Sequence, residues 1–167
     1  QIHLLDLSGN NLSERIPTCI KNFTAMLEKS IDLSQIVRGR LSSTKGDYPN
    51  IYEPNALLTW KGQEYLFKNP QFLLKSIDLS SNYLSGEMPI EFGLLFGLVS
   101  LNLSRNSLSG EIPSNIGDLN SLEFLDLSRN HFSGRIPSSL SQIDRLALLD
   151  LSNNSLSGKI PLGTQLQ

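Results

Sequence analysis

The sequence is poor in cysteine, in histidine and in excess charge of either sign. Among 167 residues there are one cysteine and two histidines, and 14 basic against 16 acidic residues leave a formal net charge of -2. A single cysteine cannot form an internal disulfide, so a disulfide-stapled fold is excluded. Because no basic surface attracts phosphates, nucleic acids and anionic membranes are not expected as partners.

Long apolar runs are also lacking. The sequence has no stretch of about 18 consecutive apolar residues, so we expect no membrane span within it. Its first residues do not resemble a signal peptide. The chain enters at Gln1 without a start methionine, and neither end shows the polar capping segment that a solenoid needs. We therefore expect it to be part of a longer protein.

What the sequence does contain is a repeat with a period of 24 residues. The four regular copies begin at Leu74, Leu98, Leu122 and Leu146, and read LKSIDLSSNYLSGEMP, LVSLNLSRNSLSGEIP, LEFLDLSRNHFSGRIP and LALLDLSNNSLSGKIP. A fixed period carrying L-x-x-L-x-L-x-x-N-x-L indicates the leucine-rich repeat. The expected fold class is an α/β solenoid with a parallel β-sheet on its concave face and short helical or 3-10 turns on its convex face.

Within each repeat, leucines alternate with polar residues, as Leu125 and Leu127 do with Asp126 and Ser128. This alternation predicts a strand with its leucines inward and its polar side chains outward, and successive strands should stack about 4.8 Å apart. The asparagine after each strand is expected to turn inward and bond backbone groups, because a buried unpaired amide costs roughly 1 to 3 kcal/mol. This asparagine ladder comprises Asn10, Asn82, Asn106, Asn130 and Asn154.

The periodicity divides the chain into four parts. Residues 1–26 hold one repeat, residues 74–161 hold four, and residues 162–167 are interpreted as the start of a truncated C-terminal cap. Residues 27–73 form a non-repeat island that contains half of the aromatic residues. Long insertions of this kind are usually functional or disordered, and the aromatic content argues against disorder.

The first repeat departs from the others at two positions. Glu14 occupies the position of Gly86, and if that position has a positive φ, a glutamate there costs on the order of 1 kcal/mol. Cys19 is either a reactive or intermolecular thiol or a half-buried apolar residue of the convex segment, and we favour the latter. We expect this repeat to be the less regular one.

The outward strand positions are the candidate partner-binding surface. We define the acidic row as Asp78, Asn102, Asp126 and Asp150, and the arginine pair as Arg105 and Arg129, which lie one column beyond the strand serines. We expect the arginines to pair with carboxylates such as Asp126, contributing about 0 to 1 kcal/mol as exposed pairs. Alternatively they anchor a protein partner. A face this uniform suits a constant partner better than a variable ligand.

Catalysis is not expected. Asp126 and Asp150 should lie about 5 Å apart, the separation of the carboxylates in retaining glycosidases, but nothing in the sequence encloses a sugar over this open sheet. Calcium would need further oxygen ligands that are missing. The repeat geometry places no nucleophile beside His131. No enzyme activity, metal or cofactor is therefore expected.

Two further sets of residues are candidates for modification or contact. Asn-x-Ser/Thr sequons occur at Asn11, Asn22, Asn102 and Asn153, either as glycan sites or by chance. Asn22 is the preferred site because it lies on the convex side, whereas a glycan on Asn102 would cover the strand face. In the island, Trp60 and Lys61 are either a partner-contact element or part of the packing.

The repeat phrase LxxLxLSxNxLSGxIP, together with PTCIKNFTAM at 17–26, TWKGQEY at 59–65 and GKIPLGTQLQ at 158–167, resembles the membrane-proximal third of plant receptor-like proteins of the Cf-type and ethylene-inducing-xylanase-receptor group. The resemblance implies a glycosylated, single-pass receptor without a kinase, on the extracellular side of the plasma membrane. It also implies signal perception in defence or development. The implied partners are a protein or glycan ligand and a co-receptor kinase ectodomain, with no membrane contact by this segment itself.

Two other functions stay open at this point. Secreted polygalacturonase inhibitors share the same repeats, although they lack the combination of island, TWKG and GTQLQ. A truncated product without independent activity would also carry these residues. The sequence alone does not identify the ligand.

Overall fold

A computed structural model describes residues 2–27, 55–60, 63–68 and 75–162, of which 55–60 and 63–68 are described as strands only. The chain divides into two compact units. The larger unit contains residues 1–29 and 74–167, and the smaller unit contains residues 30–73.

The described strands are short. In chain order they are β1 (Leu4–Asp6), β2 (Ser13–Glu14), β3 (Asn55–Trp60), β4 (Gln63–Lys68), β5 (Ser76–Asp78), β6 (Tyr83–Glu87), β7 (Ser100–Asn102), β8 (Ser107–Glu111), β9 (Phe124–Asp126), β10 (His131–Arg135), β11 (Leu148–Asp150) and β12 (Ser155–Ser157). The smaller unit contains an antiparallel hairpin of β3 and β4, in which Asn55 lies opposite Lys68 and Trp60 opposite Gln63.

Helical structure in the described residues is confined to single turns. The 3-10 helices cover Thr18–Asn22, Ile90–Leu94, Ser114–Asp118 and Ser138–Gln142, and the α-helix α1 covers Thr24–Leu27. Each 3-10 helix follows a proline, whose fixed φ suits the entry into a helical turn.

Two parallel sheets build the larger unit, with strand orders β1-β5-β7-β9-β11 and β2-β6-β8-β10-β12. In the first sheet, Asp6 pairs with Asp78 and Asp78 with Asn102, so equivalent residues of successive repeats stand side by side. Because β1 pairs directly with β5, the first repeat stacks on the repeat that begins at Leu74. The solenoid of leucine-rich repeats predicted from the sequence is confirmed, whereas the second sheet was not predicted.

The core lies between the sheets and the 3-10 helices. In the Leu122 repeat the fully buried side chains are Leu122, Leu125, Leu127, Phe132, Leu140 and Ile143. Burying each such side chain contributes roughly 1.5 to 3 kcal/mol, which makes repeat-on-repeat stacking the main source of stability.

The asparagine that follows each strand of the first sheet joins two repeats. Asn106 donates from Nδ2 to the carbonyls of Leu103 and Ser104 in its own repeat and to Leu79 in the preceding repeat, at 3.1, 3.3 and 3.0 Å. Its Oδ1 accepts the backbone N–H of Leu84 at 3.0 Å. Asn82, Asn130 and Asn154 make equivalent bonds. Among described residues, Asn10 bonds only the carbonyls of Leu7 and Ser8.

In every repeat, a residue with a left-handed backbone conformation lies where the chain leaves the second sheet. Gly110 has a φ of 80°, and Glu14 holds the equivalent position at a φ of 74°. A Cβ atom on Gly110 would lie 3.0 Å from Cγ of Glu87, which extends over it from the preceding repeat. The first repeat therefore holds an L-residue in a conformation that favours glycine.

Replacing Asn130 by alanine should lower the free energy of unfolding by about 2 to 4 kcal/mol, because the N–H of Leu108 and the carbonyl of Leu103 lose their buried partner. Asn10→Ala is the matched control, since Asn10 is exposed and bonds only its own repeat. It should cost less than about 1 kcal/mol. Urea denaturation followed by circular dichroism measures both, and equal costs would contradict a stabilising ladder.

Substitutions at the left-handed position should have opposite signs in the first and the Leu98 repeats. Gly110→Ala should destabilise the chain by about 1 to 2 kcal/mol because of its positive φ. Glu14→Gly should stabilise it by roughly 1 kcal/mol, because the strain at Glu14 is relieved. The same denaturation measurement compares the two variants, and a destabilised Glu14→Gly protein would show that Glu14 is not strained.

Candidate protein-binding surface

The acidic row lies at the carboxyl ends of the first sheet's strands, and its members are half-buried. Each side chain accepts, at Oδ1, the backbone N–H of the serine two residues further on. The distances are 2.9 Å for Asp78 to Ser80, 3.1 Å for Asn102 to Ser104, 3.0 Å for Asp126 to Ser128 and 3.0 Å for Asp150 to Ser152. These Asx turns end the strands and hold the row in a fixed geometry.

Two neighbouring members of the acidic row are also joined by a hydrogen bond. Asn102 donates from Nδ2 to Oδ2 of Asp78 at 3.0 Å, one repeat away. An amide between Asp78 and Asp126 avoids placing three like charges in succession on adjacent strands, where directly opposed charges destabilise a sheet. The row is therefore a partly satisfied polar strip and not a set of free carboxylates.

The strand serines are not outward and solvated, as the alternation had suggested. Ser80, Ser104 and Ser128 are 8%, 6% and 6% exposed. The alternation of inward and outward side chains ends at the Asx turn. After this turn the chain bends toward the asparagine ladder, and the serine side chains become buried. The prediction that the strand serines point outward is therefore wrong for these repeats.

The arginine pair has a left-handed backbone, with φ of 56° at Arg105 and 55° at Arg129. Two backbone hydrogen bonds fix Arg105: its N–H donates to the carbonyl of Ser128 at 2.9 Å, and its carbonyl accepts from the N–H of Asn82 at 3.2 Å. The N–H of Arg129 bonds Ser152 in the same way, at 2.9 Å. For an L-residue this conformation costs roughly 1 to 2 kcal/mol, which the bonds between repeats offset.

The expected ion pair between these arginines and Asp126 is wrong. Among the described side chains, neither Arg105 nor Arg129 forms a salt bridge with Asp126, whose Oδ1 accepts the N–H of Ser128 instead. Both arginines are exposed and belong to neighbouring repeats, whose strands stack about 4.8 Å apart. The structure thus places two exposed arginines at equivalent positions of adjacent repeats, and guanidinium groups suit the carboxylate groups of a partner.

Sequence reasoning missed the left-handed backbone at the arginine pair, although a signal was present. Gly9 occupies the same position in the first repeat, with a φ of 66°. A glycine in one copy of a repeat indicates a positive φ, which non-glycine residues at the same position of the other copies adopt at a cost in free energy. Ser81 and Asn153 complete the set, each with a φ of 55°.

The surroundings of His131 differ from what the sequence led us to expect. His131 is exposed in β10, and its register partner in β8 is Ser109, so the expectation that no serine lies beside it is wrong. No hydrogen bond joins the two side chains. No cluster of three potential metal ligands occurs among the described residues, and no helix described there is long and apolar enough to cross a bilayer.

The four sequons differ in their surroundings. Asn11 and Asn22 are exposed. Asn102 is held on both sides of its amide, by Asp78 and by the N–H and Oγ of Ser104, and Ser104 is buried. Asn153 is exposed and donates to Oγ of Ser152 at 3.3 Å.

Three further predictions concern residues outside the solenoid's sheets. The backbone of Trp60 ends β3, and its side chain and the whole of Lys61 lie outside the described residues, as do residues 163–167 of the expected cap. Cys19 is exposed, so its interpretation as a half-buried apolar residue is wrong. Cys19 is the second residue of the 3-10 helix Thr18–Asn22, in which Ile20 is the buried residue.

Comparison with known proteins gives consistent matches to repeats of this type. Models of the leucine-rich repeat match residues 72–132, and residues 1–23 and 145–165. Receptor-like protein EIX1 of Solanum lycopersicum is 47% identical over 83 residues, which is 48% of this chain and 8% of that protein. This chain therefore spans only a small part of the length of that relative.

Two solved plant structures superpose on most of the chain. The ectodomain of the membrane receptor kinase GASSHO1/SCHENGEN3 from Arabidopsis thaliana, in complex with CASPARIAN STRIP INTEGRITY FACTOR 2, matches with a TM-score of 0.61 at 30% identity, covering 94% of this chain and 13% of that one. A chain of the BIR3–SERK2 complex from Arabidopsis thaliana matches with a TM-score of 0.50 at 30% identity, covering 89% of both chains.

The resemblance stated from the sequence is thereby confirmed. The matches to the two repeat models together cover more than half of the residues, with the first repeat and the regular repeats both included. The chain belongs to the leucine-rich repeat family, as a segment similar to plant receptor-like proteins.

Proposed function

We propose that this chain is an extracellular binding module of a plant cell-surface receptor-like protein, which helps to perceive a microbial or developmental signal and docks a co-receptor kinase ectodomain. The similarity to EIX1 supports the receptor-like part of this proposal. The GASSHO1/SCHENGEN3 ectodomain was solved with CASPARIAN STRIP INTEGRITY FACTOR 2, and BIR3 with SERK2, which supports binding as the function of such repeats. The parent protein would be anchored in the plasma membrane.

The observation that carries the docking surface is the arginine pair. Both guanidinium groups are exposed, belong to adjacent repeats and have backbones fixed by hydrogen bonds to the next repeat. Holding the two backbones rigid reduces the conformational entropy that a partner must remove on binding. Like charges on adjacent repeats repel each other, and a partner carboxylate relieves this repulsion through bidentate bonds.

The acidic row beside the arginine pair gives the surface its polarity. Its Asx turns already occupy one oxygen of each side chain, so the row contributes a fixed polar border more than individual strong contacts. We therefore assign affinity mainly to Arg105 and Arg129, and orientation to the acidic row, Asp78, Asn102, Asp126 and Asp150. Such division between a few anchors and a surrounding neutral border is common in protein interfaces.

We assign ligand selectivity to the island, with Trp60 and Lys61 as contact residues for a protein or glycan ligand. The asparagine ladder and the backbone hydrogen bonds between repeats recur with the period, so they cannot distinguish one ligand from another. The island carries the amphipathic aromatic side chains that often dominate binding energy. No catalytic step is part of the proposal.

The double variant Arg105→Glu, Arg129→Glu should weaken binding to a co-receptor ectodomain at least about tenfold, equivalent to about 1.4 kcal/mol. The SERK2 ectodomain is the probe, because SERK2 is a component of the related complex. Biolayer interferometry with the immobilised chain measures the affinity at low and at high salt. Weaker binding at high salt is expected, since the contacts are between exposed charges.

Arg135→Glu is the matched control. Arg135 is an exposed arginine on the second sheet, away from the acidic row. Its replacement by glutamate makes the same charge change per residue as the double variant, but on a different surface. The control should retain its affinity. Full affinity in the double variant, equal losses in both variants, or no binding of SERK2 to the unmodified chain would each contradict the docking proposal.

A further inference from the structure

Three large apolar side chains are exposed together on the convex side of the Leu74 repeat. Ile90 is 64% exposed, Leu94 42% and Phe96 37%. Ile90 and Leu94 begin and end a 3-10 helix, and Phe96 follows it by two residues. We call these three residues the apolar patch. Contiguous exposed apolar surface of this kind usually marks a surface that something covers.

Three other repeats lack the apolar patch. Their equivalent positions carry exposed polar side chains, namely Thr18, Asn22 and Thr24, Ser114, Asp118 and Asn120, and Ser138, Gln142 and Asp144. In the Leu146 repeat the equivalent of Ile90 is Leu162, which is 85% exposed. The repeat architecture therefore does not require apolar residues here. Some feature local to the Leu74 repeat and its immediate neighbours must account for them.

The neighbour on one side of the apolar patch is the first repeat. Strand β1 pairs directly with β5, the 3-10 helix Thr18–Asn22 contacts the helix Ile90–Leu94, and the N–H of Gly97 donates to the carbonyl of Met26 at 2.9 Å. Asn22 and Thr24 are thus the first repeat's counterparts of Leu94 and Phe96, one repeat away.

The first repeat carries the sequon Asn22-Phe23-Thr24, the pattern of an N-glycosylation acceptor. Asn22 and Thr24 are exposed, while Phe23 between them packs against the core and turns both polar side chains outward. Among the described residues, the side chain of Asn22 makes no hydrogen bond. The sequon at Asn102 is the opposite case, because its amide is bonded on both sides and Ser104 is buried.

We infer that Asn22 carries an N-linked glycan whose first N-acetylglucosamine lies over Leu94 and Phe96 of the apolar patch. The ring face and acetamido methyl group of this sugar are apolar, and its hydroxyl groups face water, so it matches an apolar surface with a polar exterior. This inference rests on one part of the proposed function, the passage of the chain through the secretory pathway.

The modification itself is conventional in its chemistry. Nδ2 of Asn22 attacks the anomeric carbon of an oligosaccharide carried on a lipid pyrophosphate, and a transferase of the secretory pathway catalyses the step. The N–C bond forms, the C–O bond to the pyrophosphate breaks, and the amide loses one proton. The apolar patch takes no part in this step and acts only on the sugar once it is attached.

The test uses the whole chain secreted from plant cells and compares it with Asn22→Gln and Thr24→Ala, two independent ways of removing the sequon. A patch variant, Ile90→Ser, Leu94→Asp, Phe96→Asn, carries the side chains that the Leu98 repeat has at these positions. Peptide mapping should find a glycan on Asn22 and none on Asn102. In the chain with the native apolar patch, loss of the sequon should lower Tm by several degrees and raise the binding of an apolar dye.

In the patch variant, loss of the sequon should change neither quantity, because no apolar surface is left to uncover. Trimming the glycan to its first sugar should leave both quantities as in the fully glycosylated chain, and nuclear Overhauser contacts should join the acetamido methyl group to the Phe96 ring. An unmodified Asn22 in the secreted chain, or equal effects in both backgrounds, would overturn the inference. Co-receptor affinity is measured separately, so failure of docking through the arginine pair is distinguished from failure here.

Discussion

The asparagine ladder is the interaction on which the rest of this structure depends. Each buried asparagine closes its own turn and also bonds a carbonyl and an N–H of the preceding repeat, so no repeat can satisfy its backbone alone. Satisfying these groups internally removes a desolvation cost of roughly 1 to 3 kcal/mol for each. The ladder therefore ties the fold of one repeat to the presence of the next, in addition to the leucine core.

This coupling explains why the chain can accommodate a long insertion. The first repeat and the Leu74 repeat are separated by more than 40 residues in sequence, yet Asn82 bonds the carbonyl of Leu7 as its counterparts do between consecutive repeats. The strand register also passes from Asp6 to Asp78 without a step. The described residues on either side of the island thus belong to neighbouring repeats of one stack.

The 24-residue period was sufficient to predict the solenoid, the strands with inward leucines and the turns after each proline. It also predicted the inward asparagines of the four regular repeats, whereas Asn10 in the first repeat is exposed. It did not predict the second sheet, because a segment such as SLSGE contains glycine and serine, which by propensity favour turns, and it becomes a strand only when a neighbouring repeat pairs with it. Nor could it predict which arginine contacts form. Arg105 and Asp126 are close in register, but their side-chain directions follow from backbone angles and Asx turns that the period does not encode.

In a repeat protein, the residues that recur with the period form the scaffold. The residues that depart from the period reflect local structural or functional requirements. Gly9 reveals the left-handed backbone beneath Arg105, and Glu14 reveals the strain that glycine relieves elsewhere. Leu94 and Phe96 are apolar in the repeat whose neighbour carries a sequon at the counterpart positions, whereas the Leu98 and Leu122 repeats carry polar residues there. Comparing each repeat with its own siblings therefore separates function from fold within a single chain, since the siblings share the same packing constraints.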